Sequence, residues 1–317
     1  MKRRVAFAAV GSAGWLGGQN YLRNLVRVLR LHGGPRIEAV VFAGTDNDGT
    51  GLRAFCAEAG IECVASPDFD GDRLRRRAPG TLATGRDAVS QGHFQAAKVD
   101  AIFEAGSYLG WRSAIPIISW YPDFQHRHLP AMFQARDRWL RDGLLQVRMA
   151  GPRLFMLSSR AAEVDCLRFF PATAGRTITV PFAVLPPAAP VPDTGRVLSS
   201  HGIGGSYIFL PNQFWRHKNH AVVIEALRLL KRQGCQVQVV ASGLQRDMRD
   251  PSHFPALEKL IAAAGIGDSF RMLGVIPYAD LATLMGNAAR ASQLERLDNF
   301  ADRFLDATER AIAGHRR

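Results

Sequence analysis

The sequence is short of the features that mark several common protein classes. Its four cysteines, Cys56, Cys63, Cys166 and Cys235, have neither CxxC spacing nor the density of a disulfide framework. That argues against a stapled scaffold or zinc module and fits a reducing cytoplasm. No run approaches the roughly 20 apolar residues of a membrane-spanning helix. The opening Met1–Arg4 and the apolar VAFAAV after it are too brief for a signal sequence and read as a first buried strand. There is no GxSxG, no cysteine beside a candidate base and no GK[ST] triplet, so serine or cysteine hydrolases and Walker-type nucleotide sites lack their signatures. Acidic residues are also in deficit: 28 against 40 basic ones leave a net charge of +12. Such an excess favours anionic partners such as nucleotide phosphates, acidic lipid headgroups or nucleic acid. No nucleic-acid recognition motif accompanies the charge. Arginine is spread over both halves, and its one tight cluster, Arg73, Arg75, Arg76 and Arg77, reads as a solvated loop rather than a binding patch.

What the chain does contain is apolar material for two cores: 47% of its 317 residues are hydrophobic and 21% charged. Short apolar runs alternate with stretches of helical periodicity, the pattern of a parallel sheet with crossover helices. The runs at 5–10, 37–42, 61–64, 101–104, 115–121, 154–157 and 177–184 predict one complete doubly wound sheet. Tyr21, Leu22, Leu25, Val26 and Leu29 fall on one face of the first helix. The stretch LPPAAPVP that begins at Leu185 can continue neither a helix nor a central strand. It places a first domain at 1–185, a linker at 186–192 and a second domain at 193–317. In the second, strands at 207–210, 237–241 and 270–275 alternate with helices at about 219–231 and 257–264 and from Tyr278, after which only helical periodicity remains. The expected fold class is therefore α/β, with two Rossmann-like doubly wound domains, the second shortened.

Three stretches carry candidate chemistry. The turn from Gly11 to Gly18 joins a strand to a helix, and its glycines allow backbone to approach an anion at the helix N-terminus. It is not GxGxxG and no acidic residue ends the second strand, which weighs against a dinucleotide site; a tight packing turn is the alternative. The second stretch, PNQFWRHKNH from Pro211, leaves the first strand of the second domain and crowds Arg216, His217 and Lys218 at a helix N-terminus. Cations there oppose the helix dipole unless a negative ligand such as a diphosphate offsets them; a solvated basic loop is the competing reading. In the third, SWYPDFQHRHLP from Ser119, Asp123, His126 and His128 stand at the carboxyl end of a strand. They suit hydrogen bonding to a polyhydroxylated ligand better than a metal, which would need a further ligand. Asp123 after Pro122 also suits a turn cap.

Taken together, Trp15-Leu16-Gly17-Gly18-Gln19-Asn20-Tyr21, the stretch from Trp120 to Pro130, Ser158-Ser159-Arg160 and the stretch from Pro211 to His220 resemble the family 4 glycosyltransferases of bacterial polysaccharide type. The resemblance covers residues 1 to about 288. It implies the two-domain GT-B fold, an acceptor domain followed by a nucleotide-sugar domain, with the active site in the cleft between them. It also implies sugar transfer from a nucleotide diphosphate with retention, to a saccharide or lipid-linked acceptor. By that resemblance Gly17 and Gly18 lie against donor phosphates or sugar, Asp123 and His126 face the acceptor as the catalytic pair, and Lys218 pairs with the diphosphate. The family pattern has an arginine five residues before that lysine; here Gln213 stands there, and Arg216 shares the charge role. Electrostatic stabilisation of the leaving diphosphate requires no metal or other cofactor. After Leu284–Ala288 the family continues with a strand, a proline and a segment bearing two glutamates that hold the donor. This chain passes instead to Arg290–Leu297, as an internal deletion would produce. The expectation is a cytoplasmic protein with peripheral contact to acidic inner-membrane lipids and no nucleic-acid partner. The alternative is a catalytically impaired, glycosyltransferase-like binding protein.

Overall fold

In the computed structural model, which describes residues 2–8, 16–32, 37–181 and 193–288, the alternation of apolar runs and helical stretches becomes two separate parallel sheets. The chain divides into two units, Met1–Pro186 and Pro187–Arg317. The proline-rich stretch and the C-terminal helices expected after Asn287 lie outside the described residues.

In the first unit the strands are β1 (Arg3–Ala8), β2 (Ile37–Ala43), β3 (Glu62–Ala65), β4 (Ala101–Glu104), β5 (Ile117–Tyr121), β6 (Leu154–Leu157) and β7 (Thr177–Thr179). They form one seven-stranded parallel sheet in the order β3-β2-β1-β4-β5-β6-β7, so the order reverses between β1 and β4, where ligands of open α/β sheets bind. The helices are α1 (Leu16–His32), α2 (Asn47–Ala59), α3 (Gly71–Thr84), α4 (Ala88–Ala96), the single turn α5 (Gln125–His128), α6 (Ala135–Met149) and α7 (Arg160–Phe169). Side chains alternate across the sheet as strand geometry requires. Phe7, Val41 and Phe103 pack on one side with Tyr21, Leu22 and Val26 of α1. Ala6, Val40 and Ile102 pack on the other with Phe94 of α4. Each large apolar side chain buried this way contributes about 1.5–3 kcal/mol.

One expectation is corrected here. Arg73, Arg75, Arg76 and Arg77 lie on α3, not on a loop. Aspartates explain the difference: Arg73 pairs with Asp68, Arg75 with Asp72, and Arg77 with buried Asp87. The helix tolerates its basic run because carboxylates at both ends offset the charge.

In the second unit β8 (Tyr207–Leu210), β9 (Gln238–Ala241) and β10 (Phe270–Met272) pair in parallel in the order β10-β9-β8. The helices are α8 (Thr194–Ser200), α9 (His220–Arg232), α10 (His253–Ala264) and α11 (Tyr278–Asn287). Val239 and Ala241 meet Ile224, Leu227, Leu257 and Ile261, while Val240 turns the other way to Val197, Tyr207 and Leu284. With both faces covered, β9 is apolar without alternation from Val239 to Ala241. The Tyr207 hydroxyl donates to the Leu284 carbonyl at 2.8 Å and ties β8 to α11. Among the described residues β8 pairs only with β9 and is an edge.

Candidate functional site

Three of the sequence stretches meet in the first unit. Gly17 and Gly18 form the first turn of α1, which has no acidic residue there; residues 9–15, the rest of that turn, lie outside the described part. One turn further on, the Tyr21 ring stacks on Trp120 of β5 with centroids 4.1 Å apart, and Trp120 Nε1 donates to Ser158 Oγ at 2.8 Å. Burial pushes the Tyr21 phenol up to about 12, so it stays protonated. Ser159 then caps α7 by accepting from the Ala162 amide at 3.1 Å. The stretches that begin near Trp15, Trp120 and Ser158 are thus one packed assembly at the carboxyl ends of β5 and β6.

From Tyr121 the chain turns through Pro122 into α5. Asp123 is exposed, and its Oδ1 accepts from the Gln125 amide at 3.1 Å, closing the turn. His126 is buried, with Nε2 2.9 Å from Asp142 Oδ1 on α6 and Nδ1 buried without a hydrogen-bond partner. His128 goes elsewhere, to Asp165 of α7 at 2.6 Å. The two histidines are held by carboxylates on different helices and are not brought to one point with Asp123. Among the described residues no group of three or more His, Cys, Asp or Glu side chains is arranged to hold a metal.

A neighbouring network escaped the sequence reading. Glu104 ends β4 fully buried, where desolvation alone would raise its pKa. The guanidiniums of Arg148 and Arg153 and the Ser119 hydroxyl reverse this and hold it ionised. Arg153 Nε lies 3.2 Å from Glu104, and the Glu104 carboxylate also accepts from the Leu109 amide at 2.9 Å. Arg153 further bonds the Gly110 carbonyl. The loop after β4 is thereby pinned onto the sheet. Gly110 has φ 93°, and a Cβ there would strike Gly85. The only sequence signal was a carboxylate closing the apolar run AIFE.

The second unit presents the basic stretch at the carboxyl end of β8. Phe214 donates its amide to the Leu244 carbonyl at 3.1 Å, and Gln213 Oε1 accepts from the Leu244 amide at 2.9 Å. This zips the segment to the loop after β9, so the amide oxygen of Gln213 is engaged in holding backbone. The approach is close enough that Gly243, at φ 151°, would clash with Asn212 if it carried a Cβ. Arg216, His217 and Lys218 form a 3-10 turn one residue ahead of α9, rather than its first turn, with Asn219 left-handed at φ 53° between them. The Arg216 amide donates to Asp247 at 2.9 Å, and its exposed guanidinium sits 3.8 Å from Asp250. Lys218 is exposed and makes no ion pair within the described residues. Asn219 makes no side-chain cap, and no acidic residue lies in the first turn of α9. The Val222 amide donates to the Asn219 carbonyl at 3.1 Å; the first-turn amides before it stand near an ammonium that has no ion pair among the described residues, an arrangement suited to an anion.

Directly behind them His220 is completely buried. It stacks on Phe214 with centroids 4.4 Å apart and 16° between planes, and neither ring nitrogen has a hydrogen-bond partner. Burial, then the nearby His253 and Lys218, push its pKa down to about 4, so it is neutral at physiological pH.

Comparison with known proteins bears on both units. Residues 201–303 match the family model "Glycosyl transferases group 1". Over 90% of this chain the structure is similar to a glycosyltransferase from Rickettsia africae ESF-5, with a TM-score of 0.61, 13% identity and 71% of that chain covered. Anabaena Alr3699/HepE in complex with UDP and glucose superimposes with a TM-score of 0.58 and 16% identity, over 90% of this chain and 72% of that one. Sucrose-phosphate synthase from Thermosynechococcus elongatus does so with 0.56 and 16%, over 90% and 74%. The chain has the GT-B fold. No curated protein matches its sequence. Within this GT-B chain the family match falls on the second unit and contains the turn at Arg216–Lys218, all of α9 and the histidine behind it. The second GT-B sheet is the shortened one, with three strands among the described residues against seven in the first.

Proposed function

We propose that the chain is a retaining glycosyltransferase of the family 4 type. It takes a sugar from a nucleotide diphosphate and passes it to a saccharide or lipid-linked acceptor during cell-surface polysaccharide or lipopolysaccharide assembly, on the cytoplasmic face of the inner membrane. The observation that carries this is the uncapped N-terminus of α9 with the unpaired Lys218 beside it, inside the region that matches the glycosyltransferase family model. As the glycosidic bond to the donor breaks, negative charge grows on the leaving diphosphate. Lys218 and the helix amides offset it, with Arg216 adding charge and the Gln213 side-chain NH₂ adding a donor. Gly17 and Gly18 bring the first turn of α1 close to donor phosphate or sugar. Asp123 and His126 serve the acceptor: Asp123 is exposed, and His126, buried and held by Asp142, fixes the segment that presents Asp123.

Calorimetric titration of uridine, guanosine and adenosine diphosphate sugars tests the reading, uridine first because HepE holds UDP. Binding of at least one is expected, and binding of none would sink the proposal. A second reading, a catalytically impaired binding protein, draws on the second sheet, which has three strands among the described residues, and on the passage from Ala288 to Arg290–Leu297 in place of the glutamate-bearing segment. Donor binding without sugar transfer or donor hydrolysis would select it.

A further inference from the structure

Helix α6 buries Leu145 and Arg148. Helical spacing sets Arg136, Trp139, Leu140, Gly143 and Val147 on the opposite side. That side is more apolar than a solvent face ordinarily is. Trp139 is 74% exposed and Leu140 47%. A side chain added at Gly143 would meet nothing within 4 Å. Trp139 is thus among the most exposed large apolar side chains of the described residues, and Leu140 adjoins it. Leu129, just before the helix, is exposed as well. An adjoining pair of large apolar side chains left in water marks a contact surface.

Charge decides what it contacts. Between Gln125 and Asp142 stand four arginines and two aspartates; Arg136 is exposed on this side of α6, Arg127 pairs with Asp142, and helical spacing turns Arg138 and Arg141 to the other side. One of those aspartates, Asp142, is already committed to His126 and Arg127. The chain as a whole carries +12, which disfavours a second copy of itself and favours an anionic surface. Tryptophan and leucine inserted at the headgroup boundary, with Arg136 reaching out to lipid phosphates and a net positive chain behind it, is a combination that binds a peripheral helix to an acidic bilayer.

We propose that the Trp139–Leu140 face of α6 docks the protein on an anionic lipid membrane. The inference rests on the glycosyltransferase reading only for its consequence. Asp142, on the same helix, holds His126 of the acceptor segment at 2.9 Å. Docking through α6 therefore sets that segment at the membrane surface, which selects a lipid-linked acceptor over a free saccharide.

The test is co-sedimentation of the full chain with phosphatidylcholine vesicles, with and without phosphatidylglycerol. Wild type is expected to bind the anionic vesicles, to release with rising salt, and to ignore the neutral ones. The double substitution Trp139→Ser with Leu140→Ser is expected to weaken partitioning by at least about tenfold, and Arg136→Glu to weaken it less. Met248→Ser, at another exposed apolar residue, should bind as wild type. Because all these side chains point into solvent, the melting temperature should not move. Failure of the wild type to bind anionic vesicles would overturn the proposal. So would full binding by the double variant, or a lipid-free dimer that Trp139→Ser dissolves. Donor titration is run without vesicles, so an unchanged isotherm in the double variant separates a failure of docking from a failure of the transferase reading.

Discussion

Acidification should loosen the second unit through one histidine. His220 is fully buried against Phe214 with no hydrogen-bond partner for either nitrogen, and its pKa lies near 4 against 6.5 for a free imidazole. The unfolded chain therefore binds a proton below about pH 6.5 that the folded unit refuses until about pH 4. Stability from this group is complete above the unfolded value and is lost as pH falls through that window. Each tenfold rise in proton concentration within it removes about 1.4 kcal/mol, so roughly 2 kcal/mol is gone at pH 5 and about 3 kcal/mol at pH 4. Ionised carboxylates such as Glu104 add their own acid lability, so the measurement is a difference. Wild type and His220→Phe, which keeps the stacking ring but cannot titrate, are unfolded in urea at pH 7.5 and pH 5. Trp215, the sole tryptophan after residue 192, reports the second unit. The variant should lose about 2 kcal/mol less than wild type between the two pH values. Equal losses, or an imidazole of His220 that titrates near 6.5 by NMR, would refute the burial argument.

Other consequences follow from particular contacts. Arg153→Met removes one of the two guanidiniums that hold Glu104 ionised in the core; it should cost about 3–5 kcal/mol by denaturant unfolding, because a buried carboxylate is left undercompensated. Amides of Tyr207–Leu210 should exchange with solvent faster than those of Val5–Ala8, since β8 pairs on one side and β1 on two; equal protection would mean that the second sheet has a further covering partner. Chelators should leave the melting temperature unchanged, and a fall on adding one would reveal a structural metal.

Much of this fold is legible in the sequence, because parallel strands covered on both faces are written as unbroken apolar runs. The ends of β4, β6 and β8 fall where those runs end. The stretches near Trp15, Trp120 and Ser158 were separate in the sequence, and only the stacking of Tyr21 on Trp120 and the bond to Ser158 joined them. Pairings across long separations were invisible for the same reason. Nothing local links Glu104 to Arg153, His126 to Asp142 or His128 to Asp165, and the last two divide a cluster that looked like one. Arg73–Arg77 were misplaced on a loop because the aspartates that neutralise a helical run of arginines lie partly beyond it. The stretch before α9 was recognised as basic, but its geometry was not. The 3-10 turn and left-handed Asn219 shift the cations one residue off the helix, and His220, polar by type, belongs to the core.

The account stands most directly on Lys218, because it makes no ion pair among the described residues while it sits beside uncapped helix amides. The decisive measurement is a calorimetric titration of wild type and Lys218→Ala with the nucleotide diphosphate sugar that binds best. Loss of a charge-assisted contact to the diphosphate should weaken binding by about 1.5–3 kcal/mol. The melting temperature without ligand should stay within a degree or so, since an exposed lysine stabilises little. Equal affinity in the two proteins would remove Lys218 from the site and contradict the placement of the donor at α9.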